Sequence, residues 1–422
     1  MNENLLQFIW QFQYFNKHNL ATTEGNPLMI LQPGQHNLNQ GPDFKEAKIK
    51  IGGTTWAGNI ELHVNASDWL LHHHESDKNY ANIILHVVWN NDKDLFDQQQ
   101  NLLPTLELQS HVSGIMLQHY EQLMLARGFV ACENFLPLLS RVSWLSWKER
   151  LVAERLQRKA NIVLANLEQA GNHWEEAFWW LLARNFGIKV NADAFEQMAK
   201  SIAVNILAKH KYQLNQLEAL LLGQSGLLEG EFQEDYPKLL QREYRFIAKK
   251  HNLMPVHKAP DFLRMRPANF PTVRLAQLAA LVQRSTHLFS KILETKDVGP
   301  LRKLLNVTAN DYWHYHYHFD ESLEYKPKNL GHSMTDNIII NTIVPVLFAY
   351  GMAHNAPQWK ELAMQHLSQL SPEQNNITKA WKKLGVANDN ALDSQALLEL
   401  KQHYCDQKSC LQCAIGNKLL KE

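Results

Sequence analysis

A glycine pair between two runs of alternating side chains is the feature that most constrains the fold of this chain. Residues 47–51 (AKIKI) alternate apolar and basic side chains, and the chain returns through residues 56–64 after the glycines at 52–53. Two such runs joined by a glycine pair are typical of a β-hairpin. Glu61 and His63 lie two positions apart on the returning strand, so both side chains leave it on one face.

Short runs on both sides of the hairpin extend this β-rich region. Residues 28–31, 83–89 and 102–108 each read as a strand, and the nearly continuous apolar character of 83–89 predicts a central strand buried on both faces. After residue 115 the apolar residues recur three and four positions apart, which is typical of helices. The sequence therefore predicts an α+β fold, with an N-terminal mixed β-sheet domain followed by a mainly α-helical region.

Helical periodicity and chain length define the predicted organisation. A chain of 422 residues exceeds one ordinary core, so we expect several domains. The predicted domains are an α/β metal-site domain at 1–115, a helical domain at 116–304 and a mixed, helical C-terminal region with a cysteine cluster at 305–422. The predicted helices are 4–18, 147–170, 175–186, 193–209, 212–222, 272–292 and 335–353. The aromatic and histidine segment 312–318 alternates at period two and predicts a strand.

The hairpin carries the candidate active site. Asp43 follows Gly41-Pro42, where the chain turns into the first strand, and the returning strand can bring it close to Glu61. Paired carboxylates repel one another, and a divalent cation such as Mg²⁺ or Mn²⁺ relieves that repulsion while activating a water molecule. We predict Asp43, Glu61 and His63 as catalytic residues and metal ligands, with His63 a third ligand or a general base.

The segment after the hairpin supplies further candidate ligands. His72, His74 and Asp77 follow within sixteen positions of Glu61, and imidazole and carboxylate groups are common ligands of divalent metals. His86 lies on the predicted buried strand, where a lone histidine is more often a hydrogen-bonded core residue than a ligand. A structural acid that caps a turn is the alternative interpretation of Asp43 and of Glu61.

These residues resemble the PD-(D/E)XK, or restriction-endonuclease-like, nucleases. In that family a Pro-Asp pair, a glycine-rich hairpin and Glu-x-Lys on the next strand mark the active site. Pro42-Asp43, the glycine pair and Glu61-Leu62-His63 stand in the matching places over about thirty residues. The resemblance implies a nuclease-like sheet and a metal-dependent phosphodiester hydrolase. His63 replaces the family's lysine, whose role Lys45, Lys48 or Lys50 could take over.

A longer pattern resembles a family of uncharacterised bacterial proteins. It reads GPDF…IELH…DWxxHxH…LHVV, and the resemblance extends to RMRPANFPTVRLAQLA and the closing CLQCAIG. This resemblance covers most of the chain and implies no particular activity.

Three of the four cysteines lie close together near the C-terminus. The spacing Cys405-x4-Cys410-x2-Cys413 suits tetrahedral zinc or an iron–sulfur cluster, and Cys132 is a candidate fourth ligand. The arrangement is similar to that of PD-(D/E)XK nucleases that close their domain with one early and three late cysteines. His403 could instead complete a zinc site, and reduced structural thiols are the other interpretation.

A proline-rich basic segment supplies candidate substrate-binding residues. Arg264, Arg266 and Arg274 lie among prolines and Phe270, and arginine suits phosphate while an aromatic ring can stack on a base. A rigid connector with arginines paired to acids is the alternative. The first 110 residues carry about six more acids than bases and residues 141–300 about seven more bases than acids, which suits a polyanionic substrate.

The sequence thus favours a metal-dependent nuclease or related phosphodiester hydrolase, with nucleic acid as its partner. The first alternative is a non-catalytic nucleic-acid or protein interaction module with a degenerate nuclease-like core, which the missing lysine favours. A zinc hydrolase that uses His63, His72, His74 and Asp77 on another substrate is the second. The N-terminus has no signal-peptide pattern, and the apolar run 338–349 is too short to span a bilayer, so we expect a cytoplasmic protein without a membrane partner. No feature of the sequence indicates the oligomeric state.

Overall fold

The chain divides into two compact units. The computed structural model describes residues 1–37, 39–74, 77–97, 100–138, 140–256, 258–263, 265–285 and 287–421. Unit 1 comprises Met1–Leu139 together with Lys401–Glu422, and unit 2 comprises Ser140–Leu400. These limits differ from the three predicted domains, whose boundaries at 115 and 304 stay a prediction.

Unit 1 is built on a mixed β-sheet of six strands. The strands are β1 (Leu28–Gln32), β2 (Gln35–His36), β3 (Phe44–Ile51), β4 (Thr54–Asn65), β5 (Ile83–Asn90) and β6 (Thr105–Glu107). Their order is β1-β3-β4-β5-β6, with β2 also paired to β3. Pairing is antiparallel from β1 to β4 and parallel from β4 through β5 to β6. The α+β layout expected from the sequence is confirmed, as are the glycine turn and the central strand.

The parallel pairing of β4 with β5 requires a crossover connection, and this connection positions the candidate site. It runs through residues 66–82 and is anchored by Trp69, which is 3% exposed. Trp69 packs in a cluster with Ala66, Val88 and two leucines. The apolar anchor therefore holds the histidine segment against the sheet.

Helices complete unit 1. They are Glu3–Phe12, Asp68–Leu71, Gly114–Leu125 and Ala414–Lys421, with 3-10 turns at Lys78–Tyr80, Gln109–His111 and Glu133–Leu138. The first helix starts at the side chain of Asn2, which accepts from the Leu5 amide, and ends because Gln13 takes a left-handed conformation with φ 55°. The prediction of a helix to residue 18 was therefore too long.

Unit 2 is helical among its described residues. Its helices are Arg141–Gln169, Trp174–Phe186, Ile188–Lys200, Val204–His210, Leu214–Gln224, Asp235–His251, Pro271–Arg284, Leu288–Glu294, Val298–Leu305, Asp311–His314, His332–Ile338, Val344–Ala353, Pro357–Gln369, Asn376–Lys383 and Ala391–Glu399. A 3-10 turn lies at Pro267–Asn269, and π-helical turns lie at Ile339–Ile343 and Leu400–Cys405, the second crossing the limit between the units.

Two long predicted helices are broken in unit 2. The prediction at 193–209 divides at residue 203, where the backbone is extended and the Glu176 carboxylate accepts from the Val204 amide at 3.0 Å. The prediction at 272–292 divides after Arg284, where Ser285 is extended. Both breaks depend on backbone geometry that apolar periodicity does not report.

The predicted strand at 312–318 was wrong. Asn310 caps a helical turn at Asp311–His314, so the period-two alternation does not place the aromatics and histidines on opposite faces. Trp313, His314 and His316 are all buried. The helix Asp235–His251 was not among the predicted ones.

One continuous helix, His332–Ala353, is long and apolar enough to cross a membrane. Its 22 residues exceed the apolar run 338–349 used in the sequence analysis. In the fold 67% of its most apolar window is buried, as in the core helix of a soluble protein.

Candidate metal centre

Asp43, just before β3, and Glu61, on β4, are joined by hydrogen bonds from backbone amides to their carboxylates. The Asp43 amide donates to Glu61 Oε2 at 3.0 Å, and the Leu62 amide donates to Asp43 Oδ2 at 3.1 Å. Gln7 Nε2 of the first helix donates to Asp43 Oδ1 at 2.8 Å. The structure therefore brings the two predicted carboxylates together, and Gln7 is a contact that no sequence pattern indicated.

Burial keeps both carboxyl groups easy to protonate. It raises the pKa of Asp43 to about 7, with the negative charge of Glu61 as the second cause. It also raises the pKa of Glu61 to about 8. Two acids that titrate near neutral pH can exchange protons with a reacting group, or can lose them together to a cation.

His63 is the centre of a histidine cluster on the same face of β4 as Glu61. It is 1% exposed, and its Nδ1 lies 2.8 Å from His86 Nε2. Its Nε2 lies 3.1 Å from His72 Nδ1 and 3.9 Å from Glu61 Oε1. His74 Nε2 lies 3.3 Å from the same Glu61 oxygen. Four imidazoles and one carboxylate thus meet at one point of the sheet.

The crossover brings His72 and His74 to this point through one backbone reversal. Asp68 accepts from the Asn65 amide at 2.9 Å and so fixes the start of the short helix Asp68–Leu71. His73 then takes a left-handed conformation with φ 58°, and the His74 amide returns to the Trp69 carbonyl. His73 is exposed while His74 is buried, because the reversal turns alternate side chains in opposite directions.

Burial favours the neutral form of the His63 and His86 imidazoles. Burial, followed by the neighbouring histidines, holds the pKa of His63 far below its usual value, and burial followed by His74 does the same for His86. A neutral imidazole has a lone pair to offer, which is the form that binds a metal. The sequence favours a hydrogen-bonded core role for His86, and in the structure its partner is His63.

One ring nitrogen from each of His63, His72 and His74 lies within 4.8 Å of the other two, close enough to hold one ion. Among the described residues no other group of three or more such ligand atoms is as close. Imidazole donors suit zinc, iron, copper and nickel better than magnesium or manganese. The donor set therefore fits a transition metal, with Glu61 beside it as a carboxylate.

Other predicted members of the site lie further out. Asp77 begins the turn Lys78–Tyr80, where its carboxylate accepts from the Asn79 amide at 2.9 Å. The next aromatic residue, Tyr80, stacks on His74 with 3.8 Å between ring centroids. Lys45, Lys48 and Lys50, considered as substitutes for the missing lysine, are exposed on β3. The neighbours of Glu61 are instead histidines.

The four cysteines meet in a second place within unit 1. Cys132, Cys405, Cys410 and Cys413 line one cavity of about 20 Å³. Burial and the neighbouring thiols raise the pKa of Cys132 to about 12 and that of Cys410 to about 11. None of the four forms a disulfide in the described structure. The predicted grouping of the early cysteine with the three late ones is therefore present in space.

The predicted arginines belong to unit 2. Arg264 lies outside the described residues, and Arg266 is exposed. Arg274 lies in the helix Pro271–Arg284 and is only 7% exposed. Of the described arginines of this set, Arg266 is therefore the one that could bind a polyanion at the surface. The burial of Arg274 requires a different explanation.

Comparison with known proteins identifies a family and no activity. No curated protein and no solved structure matches this chain. The family described as "Protein of unknown function (DUF2851)" matches residues 3–376. Because this match covers most of the chain, the protein belongs to the DUF2851 family of proteins of unknown function.

Proposed function

We propose that this protein is a metal-dependent phosphodiester hydrolase whose centre is formed by Glu61, His63, His72 and His74. The observation that supports it is the meeting of three imidazoles, within 4.8 Å of one another, beside a buried pair of carboxyl groups. A bound divalent ion would polarise a phosphate ester and lower the pKa of a water molecule. His63 and the other two histidines would hold that ion as neutral donors.

The carboxyl groups have a separate task in this proposal. Glu61 lies 3.3 Å from His74 Nε2 and has a pKa raised to about 8, so its ionised form would be a base strong enough to accept the proton of an attacking water. Asp43 holds the Leu62 amide and thereby fixes the strand that carries Glu61. Asp43 is thus a ligand or a positioning residue.

We propose nucleic acid as the substrate class and the cytoplasm as the compartment. The relative order of Pro42-Asp43, the hairpin and Glu61 is the order that the nuclease resemblance implies. The basic excess of residues 141–300 would favour a polyanion. The carboxylates suit Mg²⁺ or Mn²⁺, but histidines supply most of the donors, so zinc is an equally good candidate for the bound metal.

A non-catalytic binding module is the second candidate. Both Asp43 oxygens accept hydrogen bonds, from Gln7 and from the Leu62 amide, which is how a purely structural acid behaves. His63 in place of lysine also favours this candidate.

One experiment separates the two. Purified protein is incubated with Zn²⁺, Mn²⁺, Co²⁺ or Mg²⁺ and with labelled single- and double-stranded DNA and RNA. Cleavage that is lost in Glu61→Gln and kept in His73→Asn supports the hydrolase. His73 is a matched control because it is exposed, sits in the same turn and has a left-handed backbone that asparagine tolerates. Binding of nucleic acid without cleavage in the presence of each metal supports the non-catalytic module and contradicts the hydrolase proposal.

We further propose that the four cysteines hold a structural metal centre, either zinc or an iron–sulfur cluster. They come from segments about 270 positions apart and share one cavity, so a bound metal would tie the C-terminal segment to the rest of unit 1. Gly416 supports the arrangement, because a Cβ there would lie 2.1 Å from the Cys410 carbonyl oxygen.

Metal analysis of anaerobically purified protein tests this proposal. Iron with acid-labile sulfide and a brown colour identifies the cluster, and colourless protein with one zinc identifies the ion. Cys132→Ser and Cys410→Ser should each lose the metal, although they lie far apart in sequence. Protein without bound metal after reconstitution with either zinc or iron and sulfide would contradict the proposal.

A further inference from the structure

Unit 2 contains a cavity of about 390 Å³ whose charged lining residues are all cations. The turn Pro267–Asn269, the helix Pro271–Arg284 and the segment 326–334 surround it. Arg274, Lys326 and Lys328 line it, and no acidic side chain does so among the described residues. This cavity is separate from the metal centre, which belongs to unit 1.

Arg274 is buried there with only neutral partners among the described residues. One guanidinium nitrogen donates to Gln277 Oε1 at 2.9 Å and the other to Asn269 Oδ1 at 2.5 Å. Its Nε has no hydrogen-bond partner in the described structure. Burial alone lowers the pKa of Arg274, and no nearby acid acts to raise it.

Lys328 is a second buried cation in the same cavity. It is 5% exposed, and its Nζ donates to the backbone carbonyls of Lys326 at 2.9 Å and His314 at 3.4 Å. The same nitrogen lies 4.0 Å from the ring centroid of Tyr317. Its partners are again neutral.

Two buried cations whose described partners are all neutral lower the stability of a folded protein. Removing a charge from water is unfavourable unless an opposite charge compensates it, and neutral hydrogen bonds replace only part of the lost hydration. A ligand that brings negative charge into the cavity would supply the missing compensation. The arrangement is therefore that of an anion-binding site.

Phosphate is the anion that this lining suits best. The planar guanidinium matches the oxygens of a phosphate in pairs, and an ammonium adds a point charge. Gly331 and Ser333 also line the cavity at the start of the helix that continues to Ala353, and the first turn of that helix has no side-chain cap. Unsatisfied amides of this kind favour an anion as a second, weaker contribution.

The size of the cavity indicates more than inorganic phosphate. A volume of about 390 Å³ lies within the range of small-molecule sites. Asn269 and Asn329 place amide groups, and Tyr317 places a ring, in the lining, where the organic part of a ligand would lie. We propose that this cavity binds a phosphomonoester, with Arg274 and Lys328 holding the phosphate. The proposal goes beyond the proposed hydrolase and does not depend on it.

Binding measurements on the full chain without added metal test this inference. The probes are adenosine monophosphate, inorganic phosphate, citrate, and a short oligonucleotide with either a 5′-phosphate or a 5′-hydroxyl group. We expect a phosphomonoester to bind and to raise the melting temperature. Binding of the mononucleotide identifies a small-molecule ligand, and binding of the 5′-phosphorylated oligonucleotide alone identifies a nucleic-acid end as the source.

Three variants locate the binding. Arg274→Gln and Lys328→Met should each weaken phosphomonoester binding at least tenfold, while the ligand-free melting temperature is unchanged or higher because a buried charge has been removed. If one of them fails to fold, the other still tests the site. Arg245→Gln, an exposed arginine of unit 2 that does not line the cavity, should bind like the wild type.

The outcomes are decisive in both directions. Equal affinity in Arg274→Gln or Lys328→Met and wild type, or no binding of any phosphomonoester, would overturn the inference. Citrate binding at the expense of every phosphate probe would overturn the assignment to phosphate. Because the assay needs no metal and can be repeated in Glu61→Gln, its failure is distinct from failure of the hydrolase proposal.

Discussion

At the scale of single residues, burial decides the chemistry of the histidine cluster. An exposed histidine is partly protonated near pH 6.5, but burial and its neighbours hold the pKa of His63 far lower. The neutral ring has one N–H and one lone pair, and its two nitrogens lie 2.8 and 3.1 Å from nitrogens of neighbouring histidines. A cation would relieve this crowding of donors.

His72→Ala should weaken binding of Zn²⁺ or Mn²⁺ at least about tenfold without unfolding the protein. His72 is exposed, so its removal leaves no buried cavity, yet one of its ring nitrogens is among the three close ligand atoms. Titration calorimetry at pH 7.5 measures the affinity.

His73→Asn is the control and should bind the metal like the wild type. At pH 5 His73→Asn and wild type should both bind the metal more weakly than at pH 7.5, because Glu61, whose pKa is raised to about 8, is then protonated and brings no negative charge to the ion. Equal affinities of His72→Ala and wild type would exclude His72 as a ligand.

At the scale of secondary-structure elements, close packing of helices depends on individual glycines. Helix Leu214–Gln224 packs on helix Asp235–His251, and Gly223 faces the ring of Tyr244 at their contact. A Cβ at Gly223 would lie 2.2 Å from Tyr244 Cγ, which is far too close for two non-bonded carbon atoms. The two helices must separate to admit it.

Gly223→Ala should lower the free energy of unfolding by about 1–3 kcal/mol, the usual cost of overpacking a core. Gly114→Ala is the matched control, because Gly114 also lies in a helix and a Cβ there meets no atom within 4 Å. The control should be neutral or slightly stabilising, since alanine is the better helix former. Urea unfolding measures both. If Gly223→Ala leaves the free energy of unfolding unchanged, the Tyr244 ring moves aside at little cost.

At the scale of the whole molecule, a buried acid makes the stability of unit 2 depend on pH. Glu218 is 0% exposed, and its Oε2 accepts from Trp313 Nε1 at 2.9 Å and from the Tyr236 hydroxyl at 2.7 Å. Burial raises its pKa from 4.5 to about 7. Above pH 4.5 the unfolded chain loses this proton while the folded chain keeps it, so the unfolding free energy falls as pH rises to about 7.

Glu218→Gln should remove this contribution. Each pH unit between the two pKa values costs about 1.4 kcal/mol, so the difference between variant and wild type should change by on the order of 3 kcal/mol between pH 4.5 and pH 7.5. The amide oxygen can still accept from Trp313 and Tyr236. Thermal unfolding across this range gives the profile.

Glu229→Gln, an exposed acid of the same unit, should keep the wild-type profile. If Glu218→Gln keeps it as well, the Glu218 carboxyl group does not carry a proton in the folded state.

The local half of the site followed from the sequence. Strand periodicity and the glycine turn place Glu61 and His63 on one face of β4, because side chains alternate along any strand. The short hairpin limits where Asp43 can lie, so its approach to Glu61 was also predictable. The α+β layout followed from the change of period after residue 115.

The tertiary structure alone decided which distant residues meet. Gln7 contacts Asp43 from the first helix, Cys132 lies beside cysteines about 270 positions away, and Arg274 is buried rather than exposed. The left-handed turn at His73 decides that His72 and His74 both approach His63. Periodicity reports only which way a side chain leaves its own strand or helix. Packing between elements decides which other residues that side chain contacts. Burial at those contacts shifts the pKa values of the titratable groups and so sets their charge.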